Sequence, residues 1–299
     1  MSRLAQALES RKFVVTGEIG PPKGVDLEKC LQDADHLRDK VRAINVTDLQ
    51  SAVMRVGSMA VCVKLVERGL EPIYQLTCRD RNRLALQSDL LSAWALGIRN
   101  VLCLSGDHPS LGDHIDAKPV FDLDSVQLLK AVAILNNGKD MADHELEGKP
   151  NLFAGAVVNP GTDALEPQLI KMEKKIEAGA KFFQTQAIYE PEKFEPFMNR
   201  VQKYKVPVMA GIVVLKSAGM ARFMNANVAG ITVPESILEE MGKIKIDNRK
   251  QKAVEIAARI IRQVKPLCQG VHIMPLGWEE LVPKIIEEAE LDESEYGSQ

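Results

Sequence analysis

The chain lacks most of the features that assign a sequence quickly. Its five cysteines, Cys30, Cys62, Cys78, Cys103 and Cys268, are odd in number, widely spaced and never paired as C-x-x-C. That argues against a disulfide framework and a structural zinc site, and the expected compartment is a reducing cytoplasm. No apolar run reaches the length of a bilayer span. Basic residues form no block: 38 Lys and Arg against 41 Asp and Glu leave a formal charge of -3, so neither nucleic acid nor an anionic membrane is the expected partner. The opening MSRLAQALESRKF lacks the apolar core and cleavage pattern of a signal peptide, and residues 1–12 read as a leader helix. Gly17-x-x-Gly20-x-x-x-Gly24 is neither G-x-G-x-x-G nor a Walker loop. No proline-rich linker or break in composition marks a second domain.

What is present is a repeat of strand and helix signals in a chain of 299 residues, 45% of them apolar. The most telling stretch is RNVLCLSGDHP at 99–109. Val101, Leu102, Cys103 and Leu104 are too few for a helix and too uniformly apolar for a half-exposed strand, so they read as a strand buried on both faces, expected at 100–104. Similar strands are expected at 13–19, 43–46, 72–76, 152–158, 181–185, 208–214 and 271–274. Helices are expected at 26–40, 56–68, 81–96, 124–136, 164–178, 191–204 and 278–289, with further polar and helical pieces over 216–265. Eight such units in about 250 residues predict a single-domain (β/α)8 barrel over 13–290, followed by an acidic tail at 291–299. The competing fold is a doubly wound open sheet.

In a barrel, the carboxyl ends of the strands form the binding face. Here they carry Glu18, Thr47, Thr77, Asp107, Asn159 and Gln186, with no histidine, cysteine or serine triad among them. Glu18 reads either as a desolvated carboxyl kept protonated for general-acid work, or as a salt-bridged or capping glutamate. Asp107, delivered by the flexible Ser105-Gly106 pair, reads either as a reacting carboxylate or as a cap on the next turn. His108 and His114 among four aspartates match no zinc spacing, and no metal is expected. Lys171, Lys174 and Lys175 read as a solvated helix face from which one lysine could reach a phosphate. Phe223 is a candidate for stacking on a flat ligand.

At these positions the sequence resembles the methylenetetrahydrofolate reductase family. The matching stretches are GEIGPPKG, INVTD, YQLTC, LGIRNVLCLSGDHP, KKIEAGAKFFQTQAIY and AGIVVLKS, between about Phe13 and Leu276. The resemblance implies a cytoplasmic flavoprotein barrel that reduces 5,10-methylenetetrahydrofolate to 5-methyltetrahydrofolate. By the same resemblance Glu18 is the general acid and Asp107 the aspartate beside flavin and pterin. Gln186 would hydrogen-bond the pterin and Phe223 would pack on substrate. Thr47, Gly106, Phe121, Asp122 and Lys175 fall where the family contacts flavin or its phosphates, and Gln75, Ser105 and Asn159 join that cofactor-binding set.

Three departures bear on the cofactor. Ser105-Gly106-Asp107 stands where many relatives have Arg-Gly-Asp, Gln75 where they have His, and Leu276-Gly277-Trp278 where they have Leu-Asn-Arg. The loss of two cations leaves FAD and FMN both open. The electron donor is NADH, NADPH or a partner subunit, and an oligomer or hetero-complex is expected. Two other classes compete: a flavin-free pterin-binding or methyltransferase barrel, and the folate-side subunit of a larger electron-transfer complex.

Overall fold

A computed structural model of the chain describes residues 1–162 and 164–291. Apart from Leu291, the expected acidic tail lies outside the described residues. Eight strands form the sheet: β1 (Val14–Ile19), β2 (Ala43–Val46), β3 (Pro72–Thr77), β4 (Asn100–Leu104), β5 (Phe153–Val158), β6 (Phe182–Ala187), β7 (Val208–Val213) and β8 (Gly270–Met274). All pairings are parallel and β8 returns to β1, so the sheet is a closed barrel in sequence order. The open-sheet alternative is thereby excluded, and a single (β/α)8 domain stands.

Around the barrel lie α2 (Glu28–Leu37), α3 (Ser58–Glu67), α4 (Arg83–Ala95), α5 (Ser125–Asn136), α6 (Leu165–Glu177) and α7 (Pro191–Val201), preceded in the chain by α1 (Arg3–Glu9). The polar stretch after β7 holds α8 (Ala218–Asn227), α9 (Glu235–Lys243) and α10 (Arg249–Val264), and α11 (Val282–Glu288) closes the ring. Several helices start later than their patterns suggest, and in α4 and α5 a side-chain cap sets the first turn. Asn82 accepts hydrogen bonds from the backbone N–H groups of Leu84 and Ala85, so α4 opens at Arg83 rather than at 81. Arg81, left ahead of the helix, pairs with Asp48 after β2 and with Asp89 of α4. Strand β6 runs to Ala187, two residues past its expected end, through a register irregularity between Gln184 and Ala187.

Inside the barrel the side chains divide into an apolar floor and a polar upper layer. The floor is Val14, Ala43, Ile73, Leu102, Phe182 and Met209. Gly155 makes this floor possible, because a Cβ there would lie 2.2 Å from the Phe182 ring. The stretch expected as a leader helix has a structural task. α1 drives Leu4, Ala7 and Leu8 into the floor and closes the amino-terminal mouth. Its first turn is held by Glu71, whose carboxylate accepts from Arg3 N at 2.7 Å and Leu4 N at 2.8 Å, and by Ser2 Oγ accepting from Ala5 N.

Leu4 is fully buried in this plug. Leu4→Ala is expected to cost about 2–5 kcal/mol of unfolding free energy by urea titration, whereas Gln6→Ala on the exposed face should fall within about 0.5 kcal/mol. Equal, small effects would contradict the plug.

Candidate active site

Strand alternation turns every second residue inward, and above the floor these residues become polar. Thr16 and Glu18 on β1, Asn45 on β2, Gln75 on β3, Gln184 on β6 and His272 on β8 are all buried. Glu18 Oε2 accepts from Gln75 Nε2 at 3.1 Å and lies 3.4 Å from His272 Nε2. Asn45 reaches Gln75 and His272, and Gln184 donates to Thr16 Oγ1 at 3.4 Å. Gly17, between Thr16 and Glu18, faces outward against Leu37, where a Cβ would lie 2.8 Å from a methyl carbon. The close approach of α2 thus helps set the register that turns Glu18 inward.

Over this layer opens a pocket of about 350 Å³ at the carboxyl ends of the strands. Of the residues singled out from sequence, Glu18, Gln75, Asn159, Lys175 and Gln186 line it together. Asn159 is fixed by Nδ2 on Ala229 O at 2.9 Å and by Gly161 N on its Oδ1 at 3.2 Å. Gln186 accepts from Ala187 N at 3.1 Å. Lys175 is no member of a solvated face: it is 5% exposed, and its Nζ donates to Val157 O at 2.6 Å. Burial, reinforced by Lys171, pushes its ammonium down to about 8.

The remaining predicted residues surround the mouth outside that pocket. Thr47 is buried at the end of β2, and its Oγ1 has no hydrogen-bond partner among the described residues. Ser105 and Gly106 are half-buried beyond β4. Gly106 adopts φ +86°, where an added Cβ would lie 3.0 Å from Thr77 Cβ, so the turn presenting Asp107 depends on glycine. Asp107 is exposed, and its backbone carbonyl accepts from Arg79 Nη1 at 3.4 Å. The next turn is capped by His108, which accepts from Ser110 N, and not by Asp107. Phe121 stacks on His108 with centroids 6.3 Å apart. Asp122 holds Arg83 through both oxygens at 2.9 Å, and those bonds bring its carboxyl down to about 2. Phe223 stands exposed on α8.

Sequence reasoning missed His272, although a histidine in a strand buried on both faces is a signal in itself. It also missed the cations beside β3. Arg79 is buried and paired with Asp80, and Arg81 pairs with the fully buried Asp48 at 2.8 Å. Asp48 Oδ2 in turn accepts from Thr77 N and Oγ1. A larger concavity, about 780 Å³, lies at the opposite end of the barrel near Leu8, Phe13 and Cys268. It lacks the converging buried polar groups of the carboxyl face, which is therefore the candidate site.

Comparison with known proteins agrees with the barrel fold. The family model described as methylenetetrahydrofolate reductase matches residues 3–290. The chain belongs to the methylenetetrahydrofolate reductase family. Methylenetetrahydrofolate reductase 2 of Schizosaccharomyces pombe is 28% identical over 239 residues, covering 72% of this chain and 35% of that protein. The 5,10-methylenetetrahydrofolate reductase of Pectobacterium carotovorum is 30% identical over 189 residues, covering 62% of this chain and 58% of that one. The chain thus spans between about a third and three fifths of these two relatives. An uncharacterized Clostridium thermocellum protein, described as binding two copies of 5-methyl-5,6,7,8-tetrahydrofolic acid, superposes with TM-score 0.63 at 16% identity, covering 97% of this chain and all of that one. At that identity it shows the shared fold.

In this member of the methylenetetrahydrofolate reductase family, the buried Lys175 yields a pH test. Below about pH 8 the folded protein bears the cost of an ammonium in a poorly solvated place; between about 8 and the ordinary 10.5 only the unfolded chain keeps that proton, so stability attributable to this group rises with pH. Lys175→Met should therefore raise the unfolding free energy at pH 7 by about 3 kcal/mol, and the gap should close toward pH 10.5. A gap in scanning calorimetry that ignores pH would remove this account.

Proposed function

We propose that the protein reduces the methylene bridge of 5,10-methylenetetrahydrofolate to the methyl group of 5-methyltetrahydrofolate, with bound flavin, FAD or FMN, as the redox group. NADH, NADPH or a partner subunit would supply electrons. The observation that carries the reading is Glu18: a buried carboxyl at the floor of the mouth pocket, in a chain of this family. Three features suit a flavin at this mouth. The Thr47 hydroxyl is buried without a partner among the described residues, the Gly106 turn holds a left-handed conformation packed against Thr77 that favours glycine, and Lys175 offers a cation. When bound and reduced, the flavin supplies hydride.

The protein's own work concerns the proton and the charge. Opening the five-membered ring breaks a C–N bond, its electron pair goes to the departing nitrogen, and that nitrogen takes a proton from Glu18. A cationic iminium is left on the substrate, and one hydride at its carbon completes the methyl group. Asp107 sets a negative charge at the mouth, where it stabilises the cation and opposes extra electron density on the flavin. Gln186 and Phe223 hold the pterin and its extension, the first by hydrogen bonding and the second by packing. The floor sealed by α1 keeps water from the far side of the layer.

An absorbance spectrum of the purified protein, followed by anaerobic reduction with NADH, NADPH and a viologen and then addition of methylenetetrahydrofolate, tests the whole reading. A colourless protein that takes up no flavin would end it in favour of a flavin-free pterin barrel. Glu18→Gln should slow folate reduction by about 10²–10⁴-fold while flavin reduction by an artificial donor persists. Asp107→Asn should raise the flavin potential and slow the folate step by about 10–100-fold; an unchanged potential contradicts its electrostatic role.

A further inference from the structure

Glu18 is held by a closed circuit of side chains from four adjacent strands. Gln75 Nε2 on β3 donates to Glu18 Oε2 on β1 at 3.1 Å and to Asn45 Oδ1 on β2 at 3.4 Å. Asn45 Nδ2 lies 3.3 Å from His272 Nδ1 on β8, and His272 Nε2 lies 3.4 Å from the same Glu18 oxygen.

The circuit has one consistent polarity. An amide nitrogen only donates, so Asn45 makes Nδ1 of His272 the acceptor, and the proton of the neutral ring sits on Nε2. The orientation of Asn45 is supported twice, by Gln75 at its Oδ1 and by the Gly17 carbonyl 3.5 Å from its Nδ2. Thr16 Oγ1, 3.1 Å from Nδ1, accepts from Gln184 and so has its own hydrogen to give to the ring. Glu18 Oε2 then receives two N–H donors, which excludes a hydrogen on that oxygen.

From this circuit we infer that His272, held as the Nε2–H tautomer, is a positioning residue for Glu18: it fixes Oε2 as a permanent acceptor and confines the transferable proton to Oε1. The inference rests on the acid role proposed for Glu18. The proton leaves Oε1 for the substrate nitrogen, that nitrogen keeps the electron pair of the broken C–N bond, and hydride adds at the carbon. The carboxylate so formed finds two donors already aimed at it. No reorganisation is then needed as its charge appears. A buried carboxyl without them would resist giving up its proton.

The test begins with the unmutated protein. ¹⁵N spectra of histidine-labelled protein contain five histidines, and the signal lost in His272→Gln identifies residue 272. That signal should show a protonated Nε2 and a bare Nδ1; a protonated Nδ1 overturns the inference, and this readout does not depend on any variant's activity. Kinetically, His272→Leu should lower kcat of the folate step by about 10–100-fold, the worth of one hydrogen bond to a charged group. The KM for folate should stay within about twofold and dye-driven flavin reduction should be unaffected. His272→Gln, which keeps a donor, should recover most of kcat. In the Glu18→Gln background, His272→Leu should add less than about twofold, because the two residues act as a unit. Full kcat in His272→Leu beside an inactive Glu18→Gln overturns the positioning role alone. Folate turnover that survives Glu18→Gln overturns the acid role itself.

Discussion

A carboxyl group inside a barrel has no bulk water to answer its charge, so the protein must provide the donors, and it can do so only where strand register lets them converge. Thr16 pairs with His272 across the β1–β8 seam, and Glu18 pairs with Asn45 across β1–β2. A one-residue slip of β8 would replace His272 by Val271 or Ile273, neither of which donates from its side chain. The seam that closes the sheet is therefore also the seam that supplies a donor to Glu18. Closure and the candidate chemistry are one requirement on the register.

The apolar floor supports the polar layer by limiting where water can enter. Phe182 stacks on Phe153 with centroids 5.3 Å apart, fills the space left by Gly155, and meets Leu4 and Leu8 of α1 in the same cluster. Each polar side chain above is thus left to the others and to the carboxyl-end mouth for its partners. In such surroundings hydrogen bonds are electrostatically stronger than in water, and an unmet polar group costs more. Most of the layer is satisfied internally. Thr47 Oγ1, nearer the mouth, is buried and unmet among the described residues, which suits a position where a ligand supplies the missing partner.

Much of this was legible in the sequence because a parallel barrel writes each strand as a short apolar run. β4 is observed at the bounds its pattern predicts, and Gly106-Asp107 follows it at the mouth. The polar circuit was harder to read. Glu18 and His272 are 254 residues apart, and only barrel closure brings them together. Alternation along β8 marks His272 as inward-facing, but it lies two residues short of the strand's end, below the rim where strand-end residues gather. Lys175 was misjudged for a related reason. Its helix pattern is amphipathic, but which lysine turns toward β5 depends on how the helix packs, and periodicity does not encode that. α1 was recognised as a helix, yet its plugging role needed a floor to plug.

Backbone strain separates the two ends of the barrel in another way. Among the described residues, Arg11, Asp39, Asp143 and Lys205 are left-handed non-glycine residues on the amino-terminal side, all polar and each in a connection leading into a strand, and Glu290, also polar, follows α11. Leu49, Ala52, Phe121 and Leu276, all apolar, adopt the same conformation on the carboxyl-end side, and Ser51 joins the first two in one short loop. Apolar side chains gain no local hydrogen bond there, and each such residue costs about 1–2 kcal/mol. The loop after β2 is held by its neighbour: a Cβ on Gly112 would lie 1.9 Å from Ala52 O, so the loops following β2 and β4 are braced at a contact that admits no side chain. Those loops follow Thr47 and Asp107. Strain concentrated there fits a mouth whose backbone is held in place for a ligand, while the sealed end of the barrel provides the packing energy that offsets it.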